Sequence, residues 1–287
     1  MREQEKVRED VSRAYARAVT EGSGCCGGGT PKGVAAQTAG YEESETRSLP
    51  EDAVINSFGC GNPVAFSGVR EGETVVDLGS GAGIDLLLAG KKTGSKGRVI
   101  GIDMTDEMIA RARKNIARAG MAHVEVRKGI IEELPVESGT VDWVISNCVI
   151  NLSPEKPKVF AEIARVLKPG GRMLVSDIVV ENLPERVRGD AAAYASCIAG
   201  AISESEYAAG LREAGLADVE VRARLVYDRD QIEGLVSSDR AASDAVMTPP
   251  SSCCGPSCSS TAAELAAEAE GNVQSLTFYA RKPSDGR

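Results

Sequence analysis

VVDLGSGAGID, residues 75–85, is the stretch from which the fold can be read. An apolar run carries Asp77, glycines follow at 79, 81 and 83, and IDLLLAGKK (84–92) then has the composition of a buried helix. A glycine motif set between a buried strand and a helix marks close approach of backbone to a ligand. Gly79, Gly81 and Gly83 permit a tight turn and present no Cβ to collide with what binds there. The motif by itself suits a dinucleotide or S-adenosylmethionine. Asp77 favours the second, because an acid just before the turn can bind an ammonium and would repel a pyrophosphate. The lysine of a phosphate-binding loop is also missing.

Outward from this turn, between Glu73 and Asp177, strand-like and helix-like runs alternate. TVVDLG, RVIGID, VEVRKG, VDWVISN and RMLVSD read as strands; IDLLLAGKK, MIARARKNIARAG and PKVFAEIARVLK read as helices. Such alternation predicts a parallel sheet covered on both faces. Beyond it, EYAAGLREAG predicts a helix, while ADVEVRARLVY and QSLTFYARKP predict two more strands. Between those strands lies an insertion at about 237–270, rich in Ser, Pro, Ala and Cys, read as a loop followed by a short helix. Upstream, residues 1–21 predict a helix and GSGCCGGGTPKG (22–33) breaks it. LPEDAV then suggests a short helix and SFGCGNP a turn. The expected organisation is a cap over 1–70 with a vicinal cysteine loop, a cofactor-binding core over 71–180, and a C-terminal region over 181–287.

Several further positions in the core fit the same ligand. The second strand ends in GIDM, placing Asp103 to accept hydrogen bonds from ribose hydroxyls, with Met104 beside it. Ile130 and Ile131, after the third strand, would line an apolar slot for adenine, and Asn147, ending the fourth, could bond the methionine end. This ordered set resembles the class I S-adenosylmethionine-dependent methyltransferases over about residues 71–180. The resemblance implies an α/β fold with a Rossmann-like, mostly parallel sheet of seven strands and a reversed hairpin at its edge, which accommodates the two terminal strands.

Composition narrows the class. The chain of 287 residues is 42% hydrophobic and 26% charged, as an ordinary globular protein is. It has no uncharged apolar run of about 18 residues or more, and its charged first helix lacks a signal core, so it is expected in the cytoplasm with no membrane partner. With 33 basic against 42 acidic residues and no Lys/Arg cluster, nucleic acid is not an expected partner. Eight cysteines in a large chain without an export signal point to metal binding, catalysis or redox exchange rather than a disulfide scaffold.

Three of them stand where loops should meet above the cofactor: Cys60 in the cap, Cys148 directly after the fourth strand, and Cys197 in AAAYASCIAGAIS. Any one alone reads equally as a small buried apolar residue. Cys148 has the strongest claim, because ligands of open α/β sheets bind at the carboxyl ends of the strands. FGCGNP, ISNCVINLSPEKPKVFAEIARVLKPGGR and SCIAGAISESEYAAGLREAG are similar to signature segments of the arsenite methyltransferases. GCCGG near the N-terminus is similar to that family's vicinal pair, and the likeness spans about residues 20–230. It implies that Cys148 and Cys197 bind trivalent arsenic, with Cys60 as third thiolate or redox partner. It also implies arsenite or its glutathione conjugate as substrate, and a protein disulfide reduced by thioredoxin or glutathione.

The chemistry accords independently. Trivalent arsenic is soft and best held by thiolates. Its lone pair can attack a sulfonium methyl with no proton to remove, so no general base is needed. The single histidine, His123, in a turn leading a strand, is read as structural. Cys25 and Cys26 are a candidate capture site for arsenite or incidental exposed thiols. Cys253, Cys254 and Cys258 lack zinc-site spacing and read as a second arsenic-binding loop or a dispensable insertion. Two rivals remain. A quinone-type C-methyltransferase would share LKPGGR but have no use for the cysteines, and would want an apolar membrane-facing patch, whereas only 4% of residues are aromatic. A non-enzymatic arsenic binder would have no need of the intact Asp77–Gly83 and Asp103 set.

Overall fold

Seven strands make one sheet: β1 (Thr74–Leu78), β2 (Arg98–Asp103), β3 (Val124–Lys128), β4 (Val141–Asn147), β5 (Leu167–Val180), β6 (Ala217–Val226) and β7 (Val273–Arg281), in the order β3-β2-β1-β4-β5-β7-β6. The structure is a computed structural model and describes residues 2–20, 41–57, 59–66, 68–237 and 261–284. β1 to β5 pair in parallel, and β7 runs antiparallel between β5 and β6. The reversed edge hairpin that the resemblance implies, and that the two terminal strand patterns accommodate, is thus present. β5 is longer than RMLVSD alone suggests. It starts at Leu167, passes Gly170 at a φ of 79° and runs on to Val180, because β7 pairs with it continuously from Arg172 to Val180.

The central strands are buried on both faces, as parallel strands under helices must be. Alternate residues feed different cores: Val76 and Leu78 of β1 meet Phe160, Ile163, Tyr207 and Phe278, while Val75 meets Leu86, Leu87, Trp143 and Leu174. The covering helices are α1 (Arg2–Thr20), α2 (Ile84–Thr93), α3 (Asp106–Ala119), α4 (Lys156–Val166), α5 (Glu204–Glu213) and α6 (Ala262–Ala269). α3 shows the physics plainly. Met108, Ile109, Ala112 and Ile116 repeat at helical spacing and are buried, and Gly120 closes the helix in the left-handed conformation. α5 and α6 each begin with a capping box, Ser203 with Glu206 and Thr261 with Glu264.

A third apolar cluster joins regions distant in sequence at the carboxyl ends of β4 and β5. It contains Val11 of α1, Cys60 of the cap, Cys148, Ile178, Cys197, Tyr227 and Leu265 of α6. α1 is tied over this end by Arg8, which donates to Glu132 and Glu155 at 3.1 and 2.7 Å, and by a 3.3 Å contact between Ser12 and Thr105. No helix among the described residues is long and apolar enough to cross a membrane.

Candidate active site

A cleft at the carboxyl ends of the parallel strands encloses about 940 Å³, including its part open to solvent. The glycine loop forms one wall. Gly79, Gly81 and Gly83 have φ of 64°, 52° and 95°, a region L side chains rarely adopt. At Gly79 space forbids a side chain as well: a Cβ would stand 2.3 Å from a methyl of Val149. Asp103 lines the opposite side and accepts from the Gly81 and Thr105 amides at 2.9 and 2.8 Å. The second strand's acid therefore also fixes the glycine turn. Met104, Ile130 and Ile131 line the same cleft.

Asp77 stands elsewhere. It is 2% exposed and does not line the cleft, and its Oδ2 has no hydrogen-bond partner. Burial, Asp85 and Asp103 together hold its carboxyl well above the usual range. Asp85, two residues past Gly83, does line the cleft, as Asp103 does. Its oxygens accept from the Tyr41 hydroxyl at 2.8 and 2.9 Å, and burial lifts its pKa to about 6 against that bond. Three buried acids facing one another call for a cation. A sulfonium and an ammonium on one ligand, placed over glycines that leave room, satisfy that requirement, so the residues present fit S-adenosylmethionine.

Asn147 also lines the cleft, but its amide is engaged by the cap. Its Oδ1 accepts from the backbone N–H of Cys60 and Gly61 at 2.9 and 3.1 Å. Its Nδ2 donates to the Gly61 carbonyl at 2.5 Å and to the Tyr41 hydroxyl at 2.9 Å. The methionine-end contact expected of Asn147 must therefore compete with four bonds to the cap.

Cys60, Cys148 and Cys197 come together at the cleft, whose lining includes Cys148. Cys60 and Cys148 are joined as a disulfide with Cα atoms 5.7 Å apart, and Cys197 Sγ lies 2.6 Å from the Cys148 carbonyl oxygen. All three are buried, at 6%, 5% and 3% exposure. Cys148 and Cys197 have φ of 58° and 64°, two of only four non-glycine residues with positive φ among those described. Non-glycine residues held there persist only when their surroundings impose it, and they concentrate at functional sites. With two sulfurs bonded to each other, the trio is not a three-thiolate ligand set as it stands. No group of three His, Cys, Asp or Glu among the described residues is poised to hold a metal ion.

Behind the cysteines, Asp177 is fully buried, accepts from Asn151 at 2.8 Å and from Tyr207 at 3.3 Å, and is raised to about 7 by burial. Lys156, which donates to the Asn151 and Ser153 carbonyls, is lowered by the same burial. His123 binds the Gly90 carbonyl at 3.0 Å, far from any of this, as a structural residue would. Cys25, Cys26, Cys253, Cys254 and Cys258 lie outside the described residues.

Sequence reasoning missed Tyr41, Asp85 and the lining side chains of α1, Arg8, Val11 and Tyr15. Asp85 carried a signal, as an acid in the first turn of the helix after the glycines. Tyr41 carried none, sitting in a polar stretch without pattern.

Residues 70–215 match the family described as a methyltransferase domain. An arsenite methyltransferase of Halobacterium salinarum is 43% identical over 77% of this chain and 60% of its own length. The chain thus spans less than two thirds of that relative. A demethylmenaquinone methyltransferase of Halalkalibacterium halodurans is 32% identical over 40% of this chain and 47% of its own. Among solved structures, an arsenic(III) S-adenosylmethionine methyltransferase of Chlamydomonas reinhardtii superposes with a TM-score of 0.61 at 28% identity, covering 90% of this chain and 76% of that one.

Proposed function

The chain belongs to the methyltransferase domain family, and on that footing we propose that it methylates trivalent arsenic held by its own cysteines, an arsenic detoxification reaction. The observation that carries the proposal is the meeting of Cys60, Cys148 and Cys197 at the glycine-lined cleft. A quinone-type enzyme has no use for that trio, and the quinone relative matches less than half of the chain.

When bound, S-adenosylmethionine supplies a methyl group made electrophilic by its sulfonium. Asp103, Met104 and Ile131 would hold the nucleoside, and the glycine loop with Asp85 would face the cationic end; Asp77 would act on that end only through its field. Cys148 and Cys197 take arsenite by thiol exchange, either free or from its glutathione conjugate, and Cys60 adds the third sulfur when the disulfide is open. Bound to thiolates, arsenic keeps the lone pair that accepts the methyl group. Burial keeps water from the reacting centre, and the positive-φ backbone at Cys148 and Cys197 fixes their direction.

Methyl transfer leaves arsenic formally pentavalent. Two electrons return it to the trivalent state as the Cys60 and Cys148 thiolates join in an S–S bond. A cytoplasmic dithiol of the thioredoxin type, or glutathione, then supplies two electrons and two protons to reopen that bond. In this division of labour residues 1–70 cap the site, 71–180 bind the cofactor and 181–287 complete the arsenic site. Cys25 and Cys26 are candidates for capture or incidental thiols, and Cys253, Cys254 and Cys258 are candidates for a second arsenic-binding role or belong to a dispensable insertion; all five lie outside the described residues.

The decisive measurement incubates the full chain with arsenite, S-adenosylmethionine and a thiol, then separates arsenic species. Methylated arsenic is expected with reductant present and little without it; its absence in both would refute the proposal.

A further inference from the structure

Cys60 is held by far more than its sulfur. Its N–H and that of Gly61 both donate to Asn147 Oδ1, and its carbonyl accepts from Ser275 Oγ at 2.9 Å and Tyr227 Oη at 3.4 Å. The flanking glycines let the loop come this close. A Cβ on Gly59 would stand 2.1 Å from Asn147 Nδ2, and one on Gly61 would stand 2.6 Å from Ser176 Cβ and Oγ. Cys148 is held as well, its N–H donating to the Ser176 carbonyl at 2.8 Å. Each cysteine backbone therefore has its polar partners whether or not the sulfurs are bonded. One residue links the two, since Asn147 precedes Cys148 in the chain and grips the peptide of Cys60 with its side chain.

We propose that Asn147 is a positioning residue for the redox step, a clamp that keeps Cys60 within bonding reach of Cys148 when both are thiols. Without it the Cys60 peptide, joined to Cys148 across 88 residues of chain, would keep its carbonyl bonds to Ser275 and Tyr227 but lose the acceptor shared by its own N–H and that of Gly61. Ring closure between two thiols depends on how much of the time they are adjacent, so the clamp raises their effective concentration. The exchange that reads it is balanced: the protein dithiol and one oxidised glutathione give the Cys60–Cys148 disulfide and two reduced glutathiones. The clamp extends outward too. Asn147 Nδ2 donates to Tyr41, whose hydroxyl donates to Asp85 in the cleft wall, so the cysteine pair and the cationic end of the cofactor site share one hydrogen-bonded chain. The inference deepens the redox role proposed above, yet its test contains neither arsenic nor cofactor, and the two stand or fall separately.

The experiment equilibrates the full chain in glutathione buffers of graded composition. It traps thiols by alkylation and measures by mass spectrometry the fraction of Cys60 joined to Cys148. Asn147→Ala is expected to lower the effective concentration by about tenfold or more, and Ser275→Ala, which loosens the same peptide from its other side without touching the cleft, by about threefold. Alkylation of Cys197 in the reduced proteins serves as the internal reference, and is expected to change by less than about twofold if packing is intact. Should Asn147→Ala fail to fold, Asn147→Ser, whose side chain is too short to reach the Cys60 and Gly61 N–H groups, takes its place, and Ser275→Ala remains the comparison from the other side of the peptide. An effective concentration within about twofold of the parent in the folded Asn147 variant would overturn the inference, whatever Ser275→Ala does.

Discussion

The two halves of the site are built in opposite ways. Over β1 and β2, the glycine loop, Asp85 and Asp103 come from one continuous run of about thirty residues, and the bonds of Asp103 to Gly81 and Thr105 lie within or beside it. Over β4 and β5, Cys60, Cys148 and Cys197 come from the cap, the core and the segment after the core, separated by 88 and 49 residues. The first half is a local motif that many acceptors can share. The second exists only when the whole chain is folded, and it confines the chemistry. Because loop-closure entropy grows slowly with length, gathering three distant cysteines costs little more than gathering three near ones.

The comparison breaks most readily at the cysteines. Replacing Cys148 or Cys197 with serine is expected to reduce arsenite methylation on the order of 100-fold or more, because orientation of the bound arsenic is lost. Cofactor affinity, by equilibrium dialysis or calorimetry, should stay within about threefold, because the hydrogen-bonded chain that links the halves runs through the Asn147 side chain and through neither sulfur. A comparable fall in cofactor affinity would mean that the halves are one unit. The reverse experiment is Asp103→Ala, which removes an acceptor serving the cleft and the Gly81 and Thr105 amides. Cofactor affinity should fall about 10- to 100-fold, the worth of one or two hydrogen bonds to a charged group. The Cys60–Cys148 equilibrium with glutathione should not move.

The same asymmetry explains what was legible in the sequence. The strands and the order of the core helices follow from local apolar period, the glycines and Asp103 from local motif, and the reversal of the terminal hairpin from the family resemblance. The convergence of the three cysteines needed the rule that ligands sit at strand ends together with a family resemblance, because nothing in their spacing brings them together. The roles of Tyr41 and Asn147 were out of reach. A tyrosine in a patternless stretch gives no sign that it bonds Asp85. The Asn147 amide was free, on sequence grounds, to face the methionine end, and only the fold shows the Cys60 loop pressed against it. Asp77 illustrates the limit differently: its position before the glycines is visible, but whether a strand residue lines a cleft or lies behind it depends on the pleat and on what covers it.

The smallest effect separates the halves by pH. Asp85, near the glycines, is raised from 3.8 to about 6, chiefly by burial, and Asp177, behind the cysteines, to about 7 by the same cause. A carboxyl whose pKa is raised on folding binds its proton more tightly in the folded chain. It costs no stability below its unfolded value, and the cost grows as pH rises until the folded value is passed. The ligand-free chain should therefore lose stability to urea as pH rises from about 4 through about 7, with Asp85, Asp177 and the likewise raised Asp77 and Asp103 all contributing. Asp85→Asn should make that loss smaller by on the order of 1 to 3 kcal/mol and leave the part near 7, which Asp177 sets together with Lys156, Tyr207 and Asn151. A cationic ligand over Asp85 favours the charged carboxylate, so cofactor binding should tighten as pH rises through about 6 in the parent and lose that dependence in the variant. If Asp85→Asn keeps both the urea slope and the pH dependence of cofactor binding, the charge facing the cofactor is carried by Asp77 or Asp103 instead, and the cleft wall has been assigned to the wrong acid.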